Sequence, residues 1–488
     1  MTTLSRRGAL RVALAAGTLP LAGCERVWSG LASELGERVP ERVEVAASTD
    51  VDSMFHLLSR AGHGPWPGEL ERARAMGADA WIEEQLAPDG IDDRACELRA
   101  RRWESADLDP GDAWEMKRPV LRGDLTRATL LRAVYSRRQL RERMVGFWTD
   151  HFNVDASKGD VLYFVPELQR ALRAHALGKL RDLVRAALSS GAMLLYLDGA
   201  SSGKAAPNEN HARELLELHT LGVHGGYAQG DVREVARALT GWRVKTDGFG
   251  RGRVRFDAGE HDDGPKRVLG VALPAGLGAG DVERVLDVVC DHPSTAAHVA
   301  EKLTRAFVSD EPPAGLASRA ARVLVDTGGD IAAAVRVILR SDELRASAGQ
   351  KLKRPLDYVA SALRGLGADT HAPDALLETL GRMGQSPFAW PTPDGYPDRA
   401  DAWTGTLLWR WNFAFALTAG ELGARVPIAE LARAIGSHAP SRWFAHLVGR
   451  LPSETERRAL DAHVAARGIG DGAELVALVL ASPAFQRC

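Results

Sequence analysis

Asn208-Glu-Asn-His-Ala-Arg-Glu-Leu-Leu-Glu-Leu-His-Thr-Leu-Gly222 is the stretch in which the fold of this 488-residue chain is most plainly written. Wound at 3.6 residues per turn, Ala212, Leu215, Leu216, Leu218 and His219 fall on one arc, while Asn210, Arg213, Glu214 and Glu217 fall on the opposite one. Such a pattern dictates a helix with one side in a core. The same period recurs outward. Leu140, Met144, Phe147, Trp148 and His151 share a stripe that places His151 on the buried side of its helix. Further helices are expected over 172–188, 231–240, 295–308 and 331–340, with Asp231 and Asp330 as N-caps of two of them.

Only Val254–Phe256 and Val268–Val271 read as strands, expected to pair as one small hairpin. The fold class is mostly α: a large multi-helix body with a small β-hairpin and a C-terminal helical lobe. The expected organisation is a signal peptide over 1–23, a lipid-anchored tether over 24–48, a main helical domain with the polar motifs over 49–350 and a C-terminal helical lobe over 351–488. Val335 to Arg345 echoes Val476 to Gln486 when Ser341 is laid on Ser482, so a two-helix unit is expected to occur twice.

The first 24 residues read as an address. Ser5-Arg6-Arg7-Gly8-Ala9-Leu10-Arg11 precedes an apolar run from Val12 to Ala22 that is too short to span a bilayer, which takes about 20 residues. The paired arginines resemble a twin-arginine export signal, and Leu21-Ala22-Gly23-Cys24 resembles a lipobox, with Cys24 as the lipidated first residue of the mature chain. The expected location is periplasmic or cell-surface, at the outer membrane in a Gram-negative cell, with the membrane as partner through Cys24. Loss of Arg6, Arg7 and Arg11 with the leader takes the formal net charge from −2 to −5, a balance that excludes nucleic acid as a partner. Cys96, Cys290 and Cys488 allow at most one internal disulfide, and the absence of C-x-x-C excludes ribbon-type zinc and thioredoxin motifs. No H-E-x-x-H or P-loop lysine occurs.

Chemistry has three candidate locations. Glu214 and Glu217, three residues apart, together with His151, are candidates for general acid–base work or for holding a divalent metal. Against this stands a solvated face with an Arg213–Glu217 pair, worth about 0.2–0.5 kcal/mol. His151 lies beside Asp150 among aromatic rings, which favours a neutral imidazole. His261-Asp262-Asp263-Gly264-Pro265-Lys266 gathers a base, carboxylates and an ammonium in a turn expected to close the hairpin, with His261 and Asp262 as candidate catalytic groups and Lys266 as a ligand contact. His219, on the apolar arc, is read as a core residue.

Asn208 to Gly222 followed by Asp231 to Trp242, with Phe147-Trp148, His151-Phe152, His261-Asp262, Lys266, His292-Pro293, Thr295-Ala296, Gly384-Gln385, Pro387-Phe388 and Trp403, resembles the bacterial family known as domain of unknown function 1800. Tyr396, His211 and His219 depart from its pattern. The resemblance implies a secreted, largely helical protein, often encoded beside an exported sulfatase-like companion, and implies no activity. Its polar positions here, Asn208, Asn210, Arg213, Glu234 and Arg237 besides those above, are the expected ligand contacts. Two readings stay open: an envelope enzyme or ligand-binding protein using these groups, and a non-catalytic lipoprotein docking a partner protein or polysaccharide, for which Trp66 and Trp390 would supply surface.

Overall fold

Leu140, Met144, Val145, Trp148 and His151 are all buried along the helix Gln139–His151, as their spacing requires. Trp148 is wholly enclosed and its indole N–H donates to the Ala176 carbonyl, 2.9 Å away, so its large apolar area is buried without stranding the polar handle. This pattern repeats throughout the computed structural model, which describes residues 36, 38–468, 470 and 472–488. The expected signal peptide and Cys24, with part of the expected tether, lie outside the described residues. Those described form 24 α-helices and three two-stranded antiparallel sheets, a mostly α fold. No helix among them is long and apolar enough to cross a membrane.

Two apolar cores share one spine. The helix Arg118–Tyr135 sends Leu121, Leu125 and Ala128 into the first core, which runs from Met54 to Leu344 in sequence and takes in Phe388, and Leu130, Leu131, Ala133 and Val134 into the second, built mainly from Tyr358 onward. Eighteen residues give it a length of about 27 Å, enough to reach both. Trp66 is buried in the second core and Trp390 is partly buried against Tyr396, so neither provides the exposed surface expected of it. Among the described residues the exposed tryptophans are Trp409 and Trp411.

The expected hairpin is replaced by two pairs. Val254–Phe256 pairs with Trp242–Val244, and Lys266–Val268 folds back on Val271–Leu273 through Leu269 and Gly270, both at positive φ. That two-residue turn matches the twist of the flanking strands. The His261 to Lys266 turn therefore links two hairpins and closes neither.

Helix ends also differ from expectation. The 172–188 run is two helices, Val165–His175 and Leu180–Leu188. Asp330 caps as expected, accepting from the Ala333 N–H at 2.9 Å. Asp231 lies inside its helix, where its carboxylate accepts from Ala228 N–H at 2.8 Å and from Leu269 N–H at 2.7 Å, tying the second hairpin to the helix start. The sequence echo is a shared geometry: Ser341 and Ser482 each end a helix, donate to the carbonyl three residues back at 2.7 Å and accept from the amide three residues on.

Candidate functional site

Asn208 caps the helix Glu209–Glu214, accepting from the Asn210 N–H at 2.8 Å and donating to the Asp198 carbonyl at 3.1 Å, while Asn210 donates to Leu197 at 3.5 Å. Arg213 reaches Glu209 at 3.2 Å, Gln229 at 3.2 Å and Glu217 at 3.5 Å on a half-exposed face. These contacts tie helices together, so the Arg213–Glu217 pair takes the solvated-face form. Glu214 is partly buried, and burial, then the nearby Glu217 charge, raises its pKa above the ordinary carboxylate value. After Glu214 the helix widens into a π turn over Leu215–His219, which turns the His219 ring into the interior.

The end of that π turn leaves carbonyls without helical partners, and histidines from two other helices satisfy them. His151 Nε2–H donates to the His219 carbonyl at 3.1 Å, and His298 Nε2–H donates to the Leu218 carbonyl at 3.1 Å. His151 Nδ1 is buried with no hydrogen-bond partner. Burial, with Lys302 next and then His219 and His298, holds its pKa well below the usual histidine value, so the ring is neutral and Nδ1 is an available proton acceptor. Burial likewise brings His219 down to about 3.

His261, Asp262, Lys266, Glu234 and Arg237 form a separate network. His261 sits between the Thr240 carbonyl, 3.0 Å from Nδ1, and the Asp281 carboxylate, 3.1 Å from Nε2. Lys266 donates to the same Asp281 oxygen at 2.6 Å, to Gly264 at 2.9 Å and to the Asp262 carbonyl. Arg237 spans Asp262 at 2.7 Å and Glu234 at 3.0 Å; the first bond leads in holding the Asp262 carboxyl below its usual pKa. His261, Lys266 and Asp281 are almost fully enclosed. Their placement fastens the Gln229–Ala238 helix, the second hairpin and the Gly280–Cys290 helix to one another and leaves little access for substrate.

His151, Glu214 and Glu217 are accordingly not brought together as metal ligands. The His151 Nε2 is committed to a carbonyl and Glu217 pairs with Arg213. Among the described residues no group of three or more His, Cys, Asp or Glu side chains is arranged to hold a metal ion. Cys96, Cys290 and Cys488 are free thiols.

What His151 does line is a cavity of about 370 Å³, together with Asp150, Lys302, Arg354, Asp394 and Tyr396. The Gln139–His151 helix supplies one wall, the Pro293–Phe307 helix another, and the loop after Pro393 the third. That loop docks through Gly395, where φ is +76° and a Cβ would lie 2.0 Å from the Asp150 carbonyl oxygen. Asp150 accepts from Arg354 at 2.5 Å, and Tyr396 donates to the Ser386 carbonyl at 2.6 Å. Among the described residues Asp394 has only neutral donors, Thr392 at 2.5 Å and Trp390 at 3.3 Å.

The Lys302 ammonium has neither a hydrogen bond nor an ion pair among the described residues. Burial brings its ammonium down to about 8, against the pull of Asp150, with Arg305 adding to the fall. Sequence reasoning passed over Lys302 and His298. Their signal was a His-x-x-x-Lys pair one helical turn apart, flanking the buried stripe Thr295, Ala296, Val299 and Ala300.

A family model described as "Protein of unknown function (DUF1800)" matches residues 56–487, and the chain belongs to that family. No curated protein and no solved structure matches the chain.

Proposed function

We propose, from membership of a family whose description assigns no activity, that this chain is an exported envelope protein that binds a small ligand in the Lys302–His151 cavity and exchanges protons with it. The observation that carries this reading is Lys302, a cavity amine bonded to no carboxylate among the described residues, beside a neutral histidine whose Nδ1 has no partner. An ammonium near its midpoint at neutral to mildly alkaline pH serves as a general acid when charged and as a base or nucleophile when neutral, and the His151 lone pair takes the complementary role. Arg354, Asp150 and Tyr396 would orient the ligand. The same reading has the paired arginines directing export, Cys24 carrying lipid, and the chain held at the periplasmic or cell-surface side of the membrane.

The test is ligand-observed NMR of the mature chain against a library of small carbonyl compounds and hydroxy acids, repeated with Lys302→Met and His151→Asn. Compounds that bind the wild type and are lost from both folded variants support the reading. An identical hit list for all three proteins sinks it.

A second reading, docking of an exported companion such as a sulfatase-like protein, or of a polysaccharide, is favoured by a row on the Leu407–Thr418 helix: Leu408 is 62% exposed, Trp411 52% and Phe415 40%. Trp411→Ser with Leu408→Ser should then remove a partner that wild type recovers by cross-linking in envelope extracts.

A further inference from the structure

A second cavity, of about 930 Å³, opens among the helices Arg94–Arg101, Arg118–Tyr135, Gln139–His151 and Val165–His175. Its inner wall carries Arg132, Arg141 and Arg173 around a single carboxylate, Glu142. Arg173 takes both oxygens of that carboxylate, Nη2 at 2.7 Å and Nε at 3.3 Å. Arg141 Nε is 3.7 Å from Glu142 and has no hydrogen-bond partner although it is buried. The Arg132 guanidinium makes no hydrogen bond and no ion pair among the described residues.

The charge balance is therefore uneven. Burial would raise the pKa of Glu142, yet Arg173, Arg132 and Arg141 together hold it at about 2, so it is an anion that offsets one guanidinium. The other buried carboxylate, Asp93, is taken by the Ser136 hydroxyl at 2.8 Å and the Arg137 N–H at 2.7 Å. Burial pushes Arg132 and Arg141 below the usual arginine range, the direction expected of cations removed from water without a full counter-charge. At the rim the four carboxylates Asp89, Glu97, Glu104 and Asp107 are exposed and outnumber the two guanidiniums there, Arg101 and Arg170.

We propose that this cavity binds the oxyanion end, carboxylate, phosphate or sulfate, of a small polyhydroxy molecule. Arg132 and Arg141 present planar guanidinium forks, which match two oxygens of such a group where lysines would not. The acidic rim repels polyanions and accepts hydrogen bonds from hydroxyls, so it selects a ligand with one charged end and a neutral hydroxylated body, of the sugar-acid or sugar-ester type. This site involves none of the residues of the Lys302 cavity and stands or falls apart from it.

Isothermal titration calorimetry on the mature chain at fixed ionic strength tests this with inorganic phosphate, inorganic sulfate, acetate and glucuronate. The expected result is saturable binding of at least one oxyanion, with glucuronate tighter than acetate, weakened roughly tenfold or more in Arg132→Gln and less in Arg132→Lys, which keeps the charge and loses the fork. In a Lys302→Met background, which removes the amine of the other cavity, the dependence on Arg132 should persist. Phosphate or sulfate binding more tightly than glucuronate assigns an ester ligand; the reverse assigns a carboxylate. Absence of saturable binding in folded wild type, or equal affinity in wild type and a folded Arg132→Lys or Arg132→Gln variant, would overturn the proposal.

Discussion

Lys302 keeps an ammonium in a cavity where no carboxylate is bonded to it and burial outweighs the pull of Asp150, Asp398 and Asp394, and that arrangement costs stability. With the folded value lowered to about 8 and an unfolded value of about 10.4, the folded chain binds this proton less well. The penalty is complete below pH 8 and fades as pH rises towards 10.4. Lys302→Met is therefore expected to raise stability by about 1–2 kcal/mol at pH 7 in urea unfolding, with the gain vanishing near pH 10.5. A destabilised variant would mean that the amine has a partner. Lys266 gives the contrasting case, because its ammonium and the Asp281 carboxylate are both enclosed and bonded at 2.6 Å. Lys266→Met leaves that buried carboxylate with the His261 ring as its side-chain partner and should cost about 3–5 kcal/mol, whereas Arg213→Ala, on a half-exposed face, should cost under about 1 kcal/mol.

At the scale of the element, the Gly395 loop is the part that closes the His151 cavity. A Cβ there would collide with the Asp150 carbonyl, so Gly395→Ala must lift the loop, and Tyr396 with it, from the Gln139–His151 helix end. The expected outcome is faster amide exchange over 394–399 with little change elsewhere, checked by hydrogen–deuterium exchange mass spectrometry. Helices such as this one were legible because a 3.6-residue stripe of Leu140, Met144 and Trp148 is a local property of the chain. Strand pairing was not, since three-residue strands carry too little alternation and the Leu269–Gly270 turn lacks the usual Asn-Gly signal. His151 was placed correctly on a buried face, but its role at the end of the π turn depends on a helix 68 residues away, and Lys302 joins it from a third. The polar motif was visible as a motif; that its groups cap and pair helices rather than converge could be read only from the packing of Arg213 on Gln229 and of Arg237 on Asp262.

The whole molecule carries several histidines held neutral by burial. His56, His63 and His211 are each brought down to about 4 and His219 to about 3, while His151, His298 and His446 are lowered as well. Each takes up a proton near pH 6.5 when unfolded and only at lower pH when folded, so stability is intact above pH 6.5 and falls as pH drops towards 4. With up to about 1.4 kcal/mol per pH unit from each, cooperative unfolding is expected between roughly pH 6 and 4.5, before the strongly held Glu142 carboxylate titrates. Circular dichroism across that range checks it; a chain still folded at pH 4 would contradict it. The account rests most heavily on the free amine at the His151 cavity, and competitive acetylation with trace labelled acetic anhydride, followed peptide by peptide in mass spectrometry, measures that amine directly. Lys302 should titrate with a midpoint near 8, moving little in Lys266→Met and rising when Arg305 is replaced by Gln. A Lys302 that titrates with the exposed lysines near 10.4 would contradict the account, because such a group is a solvated surface charge and the cavity holds no working amine.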